Sequence, residues 1–144
     1  MKIGILIVFR NAATAIEVQQ LIELFTNRNK LDICFVNNES NDQTLKLLKE
    51  IKEEVNTPIA IIDVKKSRGH NAGIKAGVRY LTSKNDVPYI LCLQKFAPND
   101  MELLKTVFHM IEVEKEVIIN LFKRTKRIVH KNVYSLRSVL ERAS

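Results

Sequence analysis

The sequence has no tryptophan, only two cysteines and three histidines, and no apolar run of membrane-spanning length. Its longest apolar runs, such as Ile3 to Phe9 and Ile59 to Ile62, fall far short of the roughly 18 residues that a membrane helix needs. Lys2 leads at once into strand-like residues, without the small-residue site that closes a signal peptide, so a cytoplasmic location is expected. Cys34 and Cys92 each lie inside a strand-like apolar run, where a thiol behaves as a small buried hydrophobe, and both are expected to be reduced core residues. His70, His109 and His130 lie far apart and show none of the spacings of a zinc site, so no metal centre built from protein ligands is expected. Phe and Tyr are scarce and several are needed for a core, which leaves few platforms for stacking single-stranded nucleic acid.

Familiar phosphate cradles are also missing. No Walker-type loop exists and no Gly-x-Gly-x-x-Gly follows the first strand, which removes the usual backbone sites for ATP or a dinucleotide. The acidic cluster and lysine of a phosphoacceptor receiver domain are absent from the ends of the first and third strands.

What is present is an alternation of strands and helices. The chain has 144 residues, 46% of them apolar, enough for one core covering both faces of a sheet. Lys2 to Phe9 reads as a strand buried on both faces. Thr14 and Glu17 form a capping box before Val18, Leu21, Ile22 and Phe25, which repeat at helical spacing. Leu31 to Val36 is the second strand, and Ser40 with Gln43 offers a second box before Leu45, Leu48, Ile51 and Val55. Pro58 to about Val64 is the third strand, followed by a basic loop, Lys65 to His70, and a helix over Asn71 to Thr82 whose Gly73 and Gly77 allow close packing on a sheet. Pro88 to Leu93 is the fourth strand, Asn99 and Glu102 open a helix through Ile111, and Glu116 to Leu121 reads as a fifth strand. Val129, Val133, Leu136 and Leu140 mark a final helix.

This pattern predicts a Rossmann-like three-layer α/β/α fold with a mostly parallel sheet, order 3-2-1-4 plus the fifth strand. Residues 1–122 would form the α/β domain and 123–144 a basic amphipathic helix packed on it or on a partner. The tail carries seven cations against Glu141 alone, and so most of the chain's net charge of +7. It is either a solvated face or a surface for a phosphate-rich partner.

Ligands of such sheets bind outside the carboxyl ends of the strands. That places Phe9, Arg10 and Asn11, then Asn37, Asn38 and Glu39, then Lys66, Arg68 and Asn71, and finally Gln94 and Lys95 around one crevice. Asn amides both donate and accept, which suits a nucleobase edge. Ser40, Asn41 and Asp42 read more simply as a turn and cap, a role that leaves Asn37 and Asn38 without a task.

Four segments, in order, resemble family 2 glycosyltransferases. Ile7-Val8-Phe9-Arg10-Asn11 resembles the family's Ile-Pro-x-Tyr-Asn, and Val36 to Thr44 resembles its Val-Asp-Asp-Gly-Ser-x-Asp-x-Thr. Asn71-Ala72-Gly73 resembles its Asn-x-Gly helix start, and Tyr89 to Leu93 resembles the strand leading into its Asp-x-Asp. The resemblance covers about the first two thirds of the chain. It implies the nucleotide-diphospho-sugar transferase fold and a UDP- or GDP-sugar partner, with base and ribose near Phe9, Asn11 and Asn38 and with Arg68 and Asn71 across the crevice.

The departures are chemical. Asn37 and Asn38 stand where the family has acids, and Gln94 and Phe96 take the Asp-x-Asp positions with Lys95 between them. A hard divalent cation needs carboxylate oxygen, so no metal cofactor is expected, and Lys66, Arg68 or Lys95 is expected to meet the diphosphate. The chain ends where the family's acceptor half would begin, and Glu112, Glu114 and Glu116 read as a solvated run, so no catalytic base is nominated. The alternative is a non-catalytic binding or scaffold protein whose basic tail meets nucleic acid, anionic lipid or a partner subunit, including a second copy through the C-terminal helix.

Overall fold

The computed structural model describes residues 2–66, 71–84, 87–125, 127–128 and 132–143. Five strands, β1 (Ile3–Phe9), β2 (Leu31–Asn38), β3 (Ile59–Val64), β4 (Tyr89–Leu93) and β5 (Val133–Ser135), form one sheet of order β3-β2-β1-β4-β5. Every pairing in it is parallel. The helices are α1 (Val18–Phe25), α2 (Thr44–Glu54), α3 (Ala72–Lys84), α4 (Asp100–Val113), α5 (Lys115–Arg124) and α6 (Leu136–Ala143).

Side-chain alternation divides the core into two layers. Ile3, Ile5, Ile7 and Phe9 face α1, α2 and α4 to α6, where Phe25, Leu48, Phe108, Phe122 and Leu136 are buried. Leu6 and Val8 face α3, whose Ile74, Val78 and Leu81 cover Cys34, Val36 and Cys92. Small residues let α3 come close: a Cβ on Gly77 would lie 2.2 Å from Leu6 Cδ1. Leu6 pairs with Cys34 on one side and Cys92 on the other, so the two thiols lie two strand spacings apart and remain free. Burial pushes both up to about 12.

The structure departs from the sequence reading after α4. Residues 116–121 are not a strand but the heart of α5, because Ile118, Leu121 and Phe122 repeat at helical spacing and bury one face. The fifth strand comes from the tail, where Val133 and Tyr134 align with Ile90 and Leu91. Residues 123–144 are thus not one helix: part of the tail joins the sheet, and α6 packs on α4, α5 and β4. Val133 and Leu136 are buried and Leu140 partly so, whereas Lys123, Arg124 and Arg127 are exposed. Val129 and Lys126 lie outside the described residues.

The expected caps also differ. Ala15 and Ile16 donate to Ala12 O in a turn of their own, so α1 starts only at Val18 and Thr14 does not cap it. Ser40 and Asn99 make no cap bond either. Ser40 is engaged by the β1 loop, and at α4 the acceptor is Asp100, which takes the Ala97 amide at 2.7 Å.

Candidate functional site

The parallel strands bring the loops after β1, β2, β3 and β4 to one end of the sheet. Two of these loops are stitched together. Asn11 N donates to Ser40 Oγ at 3.0 Å, Ala12 N to Thr44 Oγ1 at 2.9 Å and Ala13 N to Asp42 Oδ2 at 3.1 Å, while Asn41 N donates to Asn11 Oδ1 at 2.7 Å. Asp42 Oδ1 also accepts from the Thr44 amide at 3.0 Å. Burial alone would raise the Asp42 carboxyl, but the bonds from the Thr44 hydroxyl and amide and the Ala13 amide outweigh it and hold it below the usual range. Asn11 and Glu39 both adopt left-handed backbone, with φ of 46° and 51°. Glu39 N is tied to Val64 O at 2.8 Å, which anchors the loop after β2 to the end of β3.

At the end of β2, Asn37 and Asn38 point to opposite faces of the sheet. Both are buried, at 4% and 5% exposure. Asn37 Nδ2 donates to Asp63 Oδ1 at 2.9 Å, and Asn38 lies beside the start of α3, where a Cβ on Gly73 would be 3.3 Å from Asn38 Cγ. Among the described residues, the Oδ1 atoms of both asparagines are buried without a hydrogen-bond partner. A buried acceptor left unpaired costs about 1–3 kcal/mol, so these two oxygens mark where an N–H donor would be gained.

The aromatic residues are placed differently from expectation. Phe9 is fully buried, its ring 5.3 Å from Phe35 and 5.0 Å from Phe96. It therefore reaches the rim only through its backbone. Phe96, at the second Asp-x-Asp position, is 3% exposed, and its amide donates to Val8 O at 3.0 Å. That position faces the core, so no side chain there could ligate a cation at the rim. Gln94 is partly exposed, and Lys95, Lys66, Arg10 and Asn71 are exposed. Arg68 lies outside the described residues. Among the described residues no cluster of three His, Cys, Asp or Glu could hold a metal ion. At the Asp-x-Asp positions themselves, Gln94 and Phe96 supply none of the carboxylate oxygen that a hard divalent cation prefers, and exposed Lys95 lies between them.

Two residues escaped the sequence reading. Asp63, the lone acid in the β3 run, orients Asn37. Asp100 is 1% exposed and accepts Arg137 Nη2 at 2.6 Å, so one charge of the basic tail is spent on fastening the turn after Phe96. An acid just inside a helix start is the usual signal of a dipole partner, but its ion pair across 37 residues carried no sequence signal. Glu112 pairs with Arg28 and, like Glu114 and Glu116, is exposed.

Two cavities lie away from the rim. One of about 480 Å³ adjoins the start of β3, and one of about 370 Å³ lies under the amino end of β1 beside Phe108. No helix of the described residues is long and apolar enough to cross a membrane. No curated protein and no solved structure matches the chain. The family model described as glycosyl transferase family 2 does match, over residues 5–135, which span β1 through β5. The five-stranded parallel sheet, its helices on both faces and this match agree: the chain belongs to glycosyl transferase family 2.

Proposed function

We propose that the chain binds a nucleoside diphosphate or its sugar conjugate at the carboxyl-end rim, without a divalent metal. The observation that carries this reading is the buried Asn38 Oδ1, without a hydrogen-bond partner among the described residues, at the end of β2 beneath a rim whose exposed side chains include Arg10, Lys66 and Lys95. A base N–H meeting Asn38 Oδ1 recovers the lost hydrogen bond. Asn71, at the mouth of α3, and Asn11 bound the space for the ribose. The diphosphate lies toward Lys66 and Lys95, where charge-assisted hydrogen bonds do the work that a metal on two carboxylates would otherwise do.

Sugar transfer from that donor is the family's reaction and is the activity proposed here. One observation favours a second reading, donor binding without transfer: Phe96 is built into the core where an Asp-x-Asp carboxylate would stand. Calorimetry with uridine and guanosine diphosphates and their sugar conjugates, first with manganese and then with chelator, tests the binding step. Binding is expected to be unchanged by chelator and lost or strongly weakened in Lys95→Ala/Arg68→Ala. Binding that vanishes with chelator, or that survives the double variant intact, refutes the charge-replacement reading. Release of free sugar or its transfer to added acceptors separates the two readings of activity.

A further inference from the structure

The two edges of the sheet are finished differently. Beyond β5, Ile128 N donates to Val133 O at 2.9 Å and Arg127 bridges to Tyr134 in antiparallel fashion, so that edge is covered. Among the described residues β3 pairs with β2 alone, in unbroken register from Ile59 to Val64. It contains no proline and no bulge, and Ala60, Ile61, Ile62 and Val64 are only half-buried. An open edge of unbroken register, apolar at every position but Asp63, is a template for another strand.

We infer that β3 pairs antiparallel with β3 of a second copy of this chain, about a two-fold axis at Ile61. The backbone selects this register. Val64 O accepts from Glu39 on the β2 side, and N–H and C=O directions alternate along a strand, so Ile59, Ile61 and Asp63 turn theirs outward. Pairing Ile61 with Ile61 of the copy, and Ile59 with Asp63 of the copy, satisfies all of these groups, because each facing pair exchanges both of its hydrogen bonds. A one-residue slip would face outward groups with inward ones.

The same register makes the side chains complementary. Asp63 shares a face of β3 with Ile59 and Ile61, and Lys52 lines the cavity beside those two residues. Asp63 of one copy therefore arrives next to Lys52 of the other, and the symmetry repeats the contact. An isologous, closed dimer is the commonest homo-oligomer. The contact is small, so association is weak, with Kd in the range of roughly 1–100 µM.

Sedimentation velocity on the full chain over rising concentration tests this. A reversible dimer is expected, weakened on the order of tenfold by Lys52→Asp or by Asp63→Lys, since each puts like charges together twice. The double variant Lys52→Asp/Asp63→Lys is expected to dimerise nearly as the parent does. Lys52→Asp leaves the Asn37 to Asp63 bond intact, so it carries the test if Asp63→Lys alone disturbs the fold. Ile61→Pro removes an outward amide that β2 does not use and is expected to leave a monomer. A monomer at every concentration overturns the inference, as does a dimer indifferent to Lys52→Asp and Ile61→Pro. So does failure of the double variant to recover while its circular dichroism stays native.

Discussion

Replacing Arg137 by methionine keeps an unbranched apolar stem and removes the guanidinium with its charge and donors. Asp100 is then left 1% exposed with no cation beside it. Breaking a fully buried ion pair in this way costs about 3–5 kcal/mol, but three features reduce the figure here. Arg137 is itself 49% exposed, so solvent already screens the pair. Asp100 keeps the Ala97 amide at 2.7 Å. It also sits in the first turn of α4, where the helix dipole favours an anion by about 0.3–1 kcal/mol. A net loss of about 2 kcal/mol follows, or roughly 5–8 °C in Tm. Asp100→Asn should cost less, about 1 kcal/mol, because the amide oxygen can still accept from Ala97 and the half-exposed guanidinium can hydrate. Urea unfolding followed by far-ultraviolet circular dichroism suits a chain without tryptophan. An Arg137→Met variant within about 0.5 kcal/mol of the parent, or a reversed order of the two variants, would show that the pair is a solvated surface contact.

Gly77→Ala is expected to destabilise the fold by about 1–2 kcal/mol, since the gain in helix propensity does not offset forcing a methyl against fully buried Leu6; a raised Tm would contradict the close packing of α3. The Asp42 carboxyl is held low in the folded chain, so its stabilisation is complete above the unfolded value near pH 4 and fades as pH falls through the lower folded value. In Asp42→Asn the acid limb of a stability-against-pH curve should therefore be shallower below about pH 4, and an unchanged limb would mean that the carboxylate does not hold the two loops.

Strands β1 to β4 and the rim they create were legible because continuous apolar runs bounded by polar loops have few other readings in a chain of this size. Residues 116–121 were not. Glu-Val-Ile-Ile-Asn-Leu is a short apolar run in which strand and helix differ only by whether Ile118 and Leu121 share a face, and Phe122, just beyond it, decides for the helix. The caps failed for a related reason. Ser40 has the right side chain for a helix start, but the nearer competitor is the amide of Asn11, brought in from 29 residues away by the sheet, whereas Asp42 serves both the Ala13 amide and that of Thr44, the first residue of α2. Phe9 and Phe96 show the limit of reasoning by motif position: each stands at a family site position in the chain, yet both rings turn toward the core beneath the rim.

The changes at the rim form one electrostatic argument rather than separate losses. A site with acids after β2 and β4 repels a diphosphate unless a cation lies between them. Here both acidic positions after β2 are amides, the first position after β4 is Gln94, the second is a core phenylalanine, and the residue between them is a lysine. Of the acids that remain close by, Asp42 holds the amides of Ala13 and Thr44 and Asp63 holds the amide of Asn37, while Glu39 stands half-exposed on the loop after β2. Adding one carboxylate back at Gln94 would not rebuild a metal site, because Phe96 is locked between Val8 O and the ring of Phe9 and could not supply the second ligand from the core. Arg10, Lys66 and Lys95 are exposed at this rim, and the metal-free binding proposed above rests on such cations meeting the phosphates while Asn38 Oδ1 meets the base.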